Sequence, residues 1–479
     1  MLALAMLSHP RTTAPLRLPT PKVWGRDIFL SARLPDKRLN ARAARIIAGM
    51  AAKPADSIPQ TYAKWSGVKG AYRFIENDRV TSEAIARPVS DAAARACAPF
   101  STVLAIQDTT GATFPKAGRM TGLGPVNGTE AKGMCLHTTL AVSLEGLPLG
   151  VLDLQWWARE PRETSKSRKH YQERPIEEKE SAKWLRGIAA ARSAQARNLM
   201  PHEECRLIHV FDREGDIHQV FEEILKSDTD GAVIRSVQNR NVKGGKAHGK
   251  VRAAPILAAY EIQPPRSQGQ SARPPARVEV RACPMTLAPP QSHGPRRPLD
   301  LTLVEVWEPA PPEGVKEPLH WLLWTTEEVT SAAQALRIVD IYKLRWRIED
   351  YHAVLKCGCG IEELRFETAQ RTAKAIFLYA PVAVRILQLR DLSRTQPDIC
   401  CTNVLSDTQW RALWTHINQR PPAAHEPPPT LAQATRWIGS IGGHLGRKGD
   451  GTPGMRSLWR GWRDLSIMAE LFQAAMQFP

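Results

Sequence analysis

The chain has 479 residues and a mass of 53.2 kDa, which exceeds the roughly 100–200 residues of one ordinary domain. Its 43% hydrophobic and 24% charged residues are typical of a folded globular protein and exclude a disordered, collagenous or coiled-coil chain. The net charge of +17 favours a polyanionic partner, with nucleic acid ahead of an anionic membrane.

The sequence contains no sign of a membrane or secretory segment. No stretch approaches the roughly eighteen uninterrupted apolar residues of a spanning helix. The apolar start MLALAML soon meets His9, Pro10 and Arg11, which argues against a signal peptide. The eight cysteines show no CxxC pair and no repeated spacing, so neither a disulfide scaffold nor a zinc knuckle is expected. We therefore expect a cytoplasmic protein with no membrane partner.

The basic excess lies in two segments. Residues 1–80 hold 14 basic and 5 acidic residues, and residues 235–299 hold 12 basic and 2 acidic residues. The rest of the chain holds 39 basic and 41 acidic residues. A solvated surface is the ordinary explanation of such runs, but two patches on an otherwise neutral chain favour phosphate binding.

The first basic segment predicts a small helical DNA-binding domain. Between Arg33 and Ala52 the apolar residues recur at helical spacing, and Asp36 is a candidate N-cap. Basic residues occupy much of the remaining circumference, including Arg38 and Arg42. Further on, Arg73 stands between two aromatic residues in KGAYRFIEND. We place the end of this domain near residue 81.

Residues 82–260 alternate between strand-like and helix-like runs. TVLAIQDTT predicts a short strand that ends at Asp108, residues 137–157 predict a hairpin, and CRLIHVFDREGDIH predicts a buried strand that breaks at Asp212. With the intervening helices, the order is strand, hairpin, helix, strand, helix, strand. This is the order of the ribonuclease H-like fold, a mixed α/β sheet flanked by helices.

The two aspartates would lie at one edge of that sheet. Strand ends on neighbouring α/β strands are where sites are usually assembled, although a lone aspartate after a strand is more often only a turn residue. Asp108 and Asp212 are therefore candidate site residues.

The second basic segment is rich in Pro, Gly and Ser from Gly244 to Pro298. Strand-like runs such as ARVEVRA, LTLVEVWE and LHWLLWTT lie in it or follow it. We expect a β-rich insertion at about 240–325 within the larger domain, with a simple linker as the alternative. The last part of the chain, 394–479, is expected to be helical.

Residues 342–356, YKLRWRIEDYHAVLK, contain no Pro or Gly and predict one helix. Spacings of three and four residues place five polar side chains on one stripe: Tyr342, Arg345, Glu349, His352 and Lys356. A surface helix with an Arg345–Glu349 salt bridge is the alternative. Against it, Trp346, Ile348 and Leu355 would form an apolar flank that docks the helix on the sheet.

Asp108, Asp212 and Glu349 would repel one another at one sheet edge unless a cation lay between them. Carboxylate oxygens are hard ligands that select Mg²⁺ or Mn²⁺. Two such ions about 4 Å apart can activate a water or a 3′-hydroxyl and stabilise the leaving oxygen in phosphoryl transfer. The sequence thus predicts phosphodiester chemistry. Three residues of the same helix face could hold the flanking phosphates: Tyr342, Arg345 and Lys356.

The spacing Y-x2-R-x3-E-x6-K, from Tyr342 to Lys356, resembles the signature of the insertion-sequence-four family of DDE transposases, most closely its transposon-five branch. The blocks IQDTT, FDREGDIH, EEKESAKWL and AVRILQLR are similar to blocks of that family in the same order. The similarity runs from about Trp24 to the C-terminus and weakens in residues 240–300 and 395–435.

This resemblance implies a catalytic triad of Asp108, Asp212 and Glu349 that binds two Mg²⁺ ions, with Mn²⁺ as a substitute. It also implies cut-and-paste transposition: nicking at each transposon end, hairpin formation and opening, and joining of the 3′ ends to target DNA. The expected partners are double-stranded DNA, as transposon ends and as target, and a second copy of the chain in a synaptic homodimer.

The resemblance further implies DNA contacts. Tyr342, Arg345 and Lys356 are similar to phosphate and flipped-base contacts, and Trp321 to the tryptophan that stacks on the flipped base. Without the resemblance, Trp321 would be interpreted as a core residue of its strand. Four arginines are similar to residues that contact the transposon end: Arg235, Arg38, Arg42 and Arg73.

The predicted architecture has three parts: a helical DNA-end-binding domain at 1–81, a ribonuclease H-like catalytic domain at 82–393 and a helical dimerisation domain at 394–479. Two alternatives remain open. One is a metal-dependent nuclease of the same fold that cleaves without strand transfer, and the other is a catalytically silent DNA-binding regulator. The protein is expected in the cytoplasm, associated with the nucleoid when bound to DNA.

Overall fold

The computed structural model describes residues 18–476 apart from positions 55, 63, 116–117, 127–130, 161–173, 198–204, 264–273, 291–295, 314, 316 and 448–449. The chain forms two compact units. The sheet unit comprises Ala93–Thr113 and Leu123–Asp350. The helical unit comprises the described residues up to Ala92, the segment Phe114–Gly122 and the described residues from Tyr351 onward. The two predicted domain boundaries, at 81/82 and 393/394, stay predictions.

The sheet unit is built on one mixed sheet. Its strands, among the described residues, are β1 (Thr102–Thr113), β2 (Gly124–Pro125), β3 (Lys132–Ser143), β4 (Pro148–Trp157), β5 (Arg206–Phe211), β6 (Gly231–Arg235), β7 (Asn241–Val242), β8 (Gly245–Lys246), β9 (Ile256–Ile262), β10 (Ala276–Leu287), β11 (Leu299–Trp307) and β12 (His320–Thr325). The order across the sheet is β2-β3-β1-β5-β6-β12-β11-β10-β7-β8, with β4 also paired to β3 and β9 to β10.

The strands β4-β3-β1-β5-β6 form the ribonuclease H-like part of this sheet. β3 pairs with β1 and β4 in antiparallel fashion, and β5 is parallel to both β1 and β6. The turn between β3 and β4 passes through Gly146 at a φ of 85°, a left-handed conformation that glycine adopts without steric cost. The predicted fold class and hairpin are confirmed.

Strand β1 is longer than the sequence suggested. The parallel ladder of β1 with β5 ends at the pair Gln107 and Phe211, so Asp108 and Asp212 directly follow the last pair on adjacent strands. β1 nevertheless continues to Thr113, because β3 extends back to Lys132 and supplies an antiparallel partner there. The prediction that the strand ends at Asp108 was therefore wrong, although the parallel ladder does end beside it.

The β-rich insertion extends the same sheet rather than forming a separate layer. Strand β12 pairs antiparallel with β6 and with β11, so strands β7–β12 continue the ladder beyond β6. A buried apolar cluster spans both parts and includes Trp184, Phe221, Ile234 and Trp324. This places Arg235 and Trp321 on neighbouring strands.

Helices accompany both units. In or overlapping the sheet unit they are α5 (Ser82–Cys97), α6 (Ala182–Ala196), α7 (His218–Ile224), α8 (Ala247–Arg252), α9 (Ala332–Lys343) and α10 (Arg347–Ala353). The remaining helices are α1 (Pro21–Ile28), α2 (Lys37–Ala52), α3 (Ile58–Thr61), α4 (Trp65–Glu76), α11 (Ala369–Thr395), α12 (Asp407–Asn418), α13 (Leu431–Ile441) and α14 (Met455–Ala475).

Helix α2 begins where its sequence predicts. The Asp36 side chain accepts the Arg38 backbone N–H at 2.7 Å, which satisfies one of the free donors at the helix N-terminus. Its predicted apolar stripe is buried at Ala43, Ile46 and Met50. The basic residues between these positions are left toward the surface, as an amphipathic helix requires.

Helix α11 forms the core of the helical unit. By length and composition it could cross a membrane, since it has 27 residues and a mean hydropathy of 1.3 in its most apolar window. That window is 94% buried inside the protein, and Lys374 within it donates to the backbone oxygens of Ile75 and Asn77 at the end of α4. We interpret α11 as a core helix.

The predicted single helix at 342–356 is interrupted. Helix α9 ends at Lys343, a 3-10 turn covers Leu344–Trp346, and a π-helical turn at Val354–Gly358 follows α10. A 3-10 turn has three residues per turn instead of 3.6, which shifts the following side chains around the axis. The predicted apolar flank is therefore wrong at Trp346, which is 57% exposed, whereas Ile348 is fully buried.

Candidate active site

Asp108 is a mostly buried carboxylate in the middle of β1. Its Oδ1 accepts the Thr109 backbone N–H at 2.7 Å. Burial, and then the negative charge of Asp212, raise the pKa of Asp108 to about 7, against the lowering effects of the Thr109 N–H and of Arg345. The like-charge contribution is consistent with the position of the two aspartates directly after the last pair of two adjacent strands.

Asp212 directly follows β5 and caps a 3-10 turn. Its Oδ1 accepts the Glu214 backbone N–H at 2.9 Å. Burial raises the pKa of Asp212, and the Glu214 N–H opposes this rise. Each aspartate is thus oriented by a backbone donor one or two residues further along its own strand or turn.

Arg345 links the two aspartates to Glu349. Its Nη1 lies 3.6 Å from Asp108 Oδ2, and its Nη2 donates to Glu349 Oε1 at 2.5 Å. Its positive charge also opposes the rise in the pKa of Asp212 that burial causes. The Arg345–Glu349 pair considered as the alternative is present, but the Arg345 side chain is only 10% exposed while that of Glu349 is 37% exposed, so the arginine end of this pair is buried rather than on the surface. One guanidinium therefore acts on all three predicted carboxylates.

The carboxylate oxygens of Asp108, Asp212 and Glu349 are ligands that suit a hard divalent cation, although they do not converge on one point. Within the part of the chain that the structure describes, no three His, Cys, Asp or Glu side chains are close enough to hold one metal ion. Three carboxylates nevertheless lie around Arg345, and the pKa of Asp108 is raised first by burial and then by the negative charge of Asp212, which a cation would offset. Here Arg345 supplies the positive charge.

Tyr342, Arg235 and Trp321 lie together beside Arg345. The Tyr342 ring is 6.0 Å from the Trp321 ring in a T-shaped arrangement and 6.0 Å from the Arg345 guanidinium. Burial lowers the pKa of Arg235, while the Tyr342 hydroxyl counteracts this as its hydrogen-bond partner. Trp321 is half-buried, whereas Leu323 and Trp324 on the same strand are fully buried core residues.

Lys356 and His352 lie in the helical unit. Lys356 is part of the π-helical turn, and its Nζ is 3.7 Å from Glu362. Burial, with a smaller effect from Lys356, lowers the pKa of His352 to about 3, so this imidazole stays neutral at physiological pH. His352 is thus a buried neutral group rather than part of a charged surface stripe.

The three N-terminal arginines have different surroundings. Arg38 is 92% exposed and pairs with Asp36 at 3.0 Å. Arg42 lies across Gly70 of α4, where a Cβ would overlap its guanidinium. Arg73 is exposed near the end of α4. All three are in the helical unit, on or facing the helices of the first basic segment.

Sequence reasoning missed the residues that support the aspartates from inside the sheet unit. His137 and Gln107 are fully buried and bonded to each other next to Asp108. Lys183 of α6 is almost buried and pairs with Glu214, the residue whose N–H holds Asp212. The only available signal was the presence of polar residues inside apolar strand and helix patterns.

Three protein-family models match the chain. A transposase DNA-binding model matches residues 21–80, a transposase DDE domain model matches residues 149–384, and a transposase Tn5 dimerisation domain model matches residues 381–478. The DDE match includes Asp212 and Glu349 and begins after Asp108. The first and last matches cover helices α1–α4 and α12–α14.

Proposed function

Since the chain is a metal-dependent DDE transposase with a transposase DNA-binding domain and a Tn5-type dimerisation domain, we propose that it belongs to the insertion-sequence-four family and moves DNA by a cut-and-paste route. It binds DNA and forms homodimers. In the proposed reaction it recognises terminal inverted repeats, nicks each end, forms and opens a hairpin, and joins the 3′-hydroxyl ends to target DNA.

Asp108, Asp212 and Glu349 are the proposed catalytic residues and metal ligands. The observation that carries this proposal is their arrangement around Arg345, with the two aspartates directly after the last β1–β5 pair. The proposed ions are two Mg²⁺, for which Mn²⁺ would substitute. When bound, divalent ions supply Lewis acidity that activates the attacking oxygen and stabilises the leaving one.

The chain's own residues have separate tasks in this proposal. The N–H groups of Thr109 and Glu214 keep the carboxylates of Asp108 and Asp212 oriented before DNA arrives. Arg345 offsets the negative charge of the carboxylates. Its guanidinium N–H groups can also donate to a DNA phosphate, whose oxygens can accept two of these hydrogen bonds at once. Because the side chains of Arg345 and Asp108 are only 10% and 20% exposed, their charges interact more strongly than they would in water.

The proposed DNA contacts include residues of both units. Tyr342, Arg345 and Lys356 would contact phosphates and a flipped base, and the half-buried ring of Trp321 has a face on which a base can stack. Four arginines would contact the transposon end: Arg235, Arg38, Arg42 and Arg73. The concentration of positive charge before residue 81 supports this role.

We also propose the three-domain organisation, with boundaries at 81/82 and 393/394, and a synaptic homodimer in which each subunit binds one transposon end. The match of the dimerisation model to residues 381–478 supports the last domain. The protein would act in the cytoplasm, on the nucleoid.

A strand-transfer assay tests the proposed function. The full-length protein is given short duplexes that carry the inverted repeat, either intact or pre-cut with a free 3′-hydroxyl, together with plasmid target and Mg²⁺. We expect nicking of the intact ends and joining of the pre-cut ends. Glu349→Ala should lower both rates by more than about a hundredfold, since even residues outside the ligand shell commonly contribute 10–100-fold.

The matched control is Glu328→Ala, which removes an exposed carboxylate and should leave both rates unchanged. Nicking without any joined product would instead assign the protein as a nuclease. Equal rates for Glu349→Ala and the wild type would remove Glu349 from the site, and binding without nicking or joining by the wild type would identify a regulator.

A further inference from the structure

A fully buried histidine lies behind Asp108. His137 of β3 is opposite Thr109 in the β1–β3 register. Its Nδ1 is 2.9 Å from Thr109 Oγ1, and its Nε2 is 3.0 Å from Gln107 Oε1. Side chains alternate along a strand, so Gln107 and Thr109 face one side of the sheet and Asp108 faces the other. One imidazole thus holds the residues on both sides of Asp108.

These contacts form a continuous path to the carboxylate. A neutral imidazole has one N–H donor and one nitrogen acceptor. Gln107 Oε1 accepts from Nε2–H, which leaves Nδ1 to accept from the Thr109 hydroxyl. The same Thr109 donates its backbone N–H to Asp108 Oδ1. The backbone N–H that binds the Asp108 carboxylate thus belongs to a residue whose side chain contacts His137 of the neighbouring strand.

Helix α6 links this histidine to the strand of Asp212. The Trp184 ring packs edge-on against His137 at 4.8 Å and lies 4.9 Å from the ring of Phe211, the residue directly before Asp212. Trp184 is 1% exposed. At Gly187, one turn further along, a Cβ would overlap the Gln107 side chain, so the helix backbone closes over Gln107. The packing therefore fixes the two strands relative to each other.

A second contact from α6 supports the Asp212 side. Lys183 Nζ is 3.0 Å from Glu214 Oε2, and Glu214 donates its backbone N–H to Asp212. The Lys183 side chain is 5% exposed and lies near the Trp184 ring. Neighbouring side chains of one helix, Lys183 and Trp184, thus contact Glu214 beside Asp212 and His137 behind Asp108.

We propose that His137 is a positioning residue, which sets the direction of the Asp108 carboxylate so that Asp108 and Asp212 can share a divalent ion. The proposal rests on the proposed role of these two aspartates as metal ligands. Hydrogen-bond partners that orient a ligand commonly contribute 10–100-fold to metal affinity. His137 would reach the ion only through Thr109 and Asp108, and it takes no part in the bond-breaking step.

The test measures Mn²⁺ binding to the full-length protein without DNA, from the electron paramagnetic resonance signal of the free ion. His137→Phe keeps a ring against Trp184 but removes the hydrogen bonds to Thr109 and Gln107. A triple variant, His137→Phe with Gln107→Leu and Thr109→Val, also removes the polar groups that would be left unpaired, which should restore much of the lost stability. We expect Mn²⁺ affinity to fall about tenfold in both variants.

The matched control is His209→Phe, which changes another fully buried histidine, on β5, that pairs with Asp230. It should lower the unfolding temperature and leave Mn²⁺ affinity unchanged. Wild-type affinity in either His137 variant would overturn the proposal, as would an equal loss of affinity in His209→Phe. Failure of the proposed function has a different signature, because Asp212→Asn would then bind Mn²⁺ and nick DNA like the wild type.

Discussion

At the scale of single residues, the Asp108 carboxylate is stabilised in its protonated form. Burial and the nearby charge of Asp212 raise its pKa from 3.8 to about 7. The folded chain therefore binds this proton more tightly than the unfolded chain does. The resulting contribution to the free energy of unfolding is complete below about pH 4 and is lost as the pH rises through about 7.

The pH dependence expected for Asp108→Asn follows from this loss of unfolding free energy at higher pH. The amide carries no charge at any pH, so the variant should lack this one loss of stability between about pH 4 and pH 8. At about pH 8 and with a chelator present, we expect it to exceed the wild type in free energy of unfolding by about 1–3 kcal/mol. At about pH 4 the two proteins should be similar. Urea denaturation at both pH values measures the difference.

Asp228→Asn is the control for this experiment, because it neutralises an exposed aspartate. Its effect should stay within about 0.5 kcal/mol at both pH values. A stabilisation by Asp108→Asn that is the same at both pH values would contradict the assigned cause.

Individual site residues were predictable only where the sequence pattern changes sharply. Asp108 and Asp212 interrupt apolar strand runs, and the element order makes those strands neighbours. His137 has no comparable signal, since its partners are 28 and 30 residues away and its strand pattern is satisfied by any buried side chain. The raised pKa of Asp108 depends on burial and on Asp212, which only the folded chain brings together.

For the helices, the sequence predicted where each one lies along the chain better than it predicted the helical geometry. The absence of Pro and Gly in 342–356 correctly indicated helical structure, but the 3-10 and π-helical turns leave no local mark in the sequence. They depend on tertiary packing, which buries Tyr342 and Ile348 and leaves Trp346 exposed. By contrast, the N-cap of α2 is a local interaction, and Asp36 was identified directly.

The prediction for DNA binding concerns helices α2 and α4. Arg42 of α2 lies across Gly70 of α4, so its charge is held between two helices of the matched DNA-binding region. Arg42→Ala should weaken binding to inverted-repeat DNA and reduce the slope of log affinity against log salt by about 1, because one phosphate contact releases about one counterion. Fluorescence anisotropy over a series of salt concentrations measures both quantities.

Arg420→Ala is the control for Arg42. Arg420 is an exposed arginine paired with Glu426 in the Pro-rich segment at 420–430. Its removal takes away the same charge from the whole protein and should leave the salt slope unchanged. An unchanged slope for Arg42→Ala would exclude Arg42 from the DNA interface.

At the scale of the whole molecule, the sequence predicted the central sheet but not its full extent. The β-rich insertion was visible as strand-like runs, yet its continuation of the ladder through β12 and β6 depends on pairing between residues about 90 positions apart. Likewise, no local pattern shows that residues before 93 and after 350 belong to one compact unit. Contacts between distant segments are what a single sequence specifies least directly.

The prediction for dimer formation concerns helix α14. It lies in the dimerisation match and exposes Ile467 and Leu471, one helical turn apart, at 50% and 67%. Leu471→Glu places a charge on this apolar surface and should weaken the homodimer at least about tenfold while single-end binding is retained. Analytical ultracentrifugation with and without DNA ends measures the association.

Gln473→Glu is the control for this change, since it adds the same charge at an exposed position of α14 that points away from Leu471. Its dimer affinity should match that of the wild type. Undiminished association of Leu471→Glu would place the dimer interface elsewhere in the matched domain.

The pairing of β1 also determines which part of the proposed site can adjust. β3 flanks this strand up to Thr113, and β5 flanks it up to Gln107. In deuterated water, amide hydrogens in a strand that is hydrogen-bonded to neighbours on both sides exchange only when the sheet opens. Asp108 lies one residue beyond the doubly paired part of β1, so the end of the strand at which the proposed site lies, where β5 no longer flanks it, should exchange before the part that ends at Gln107.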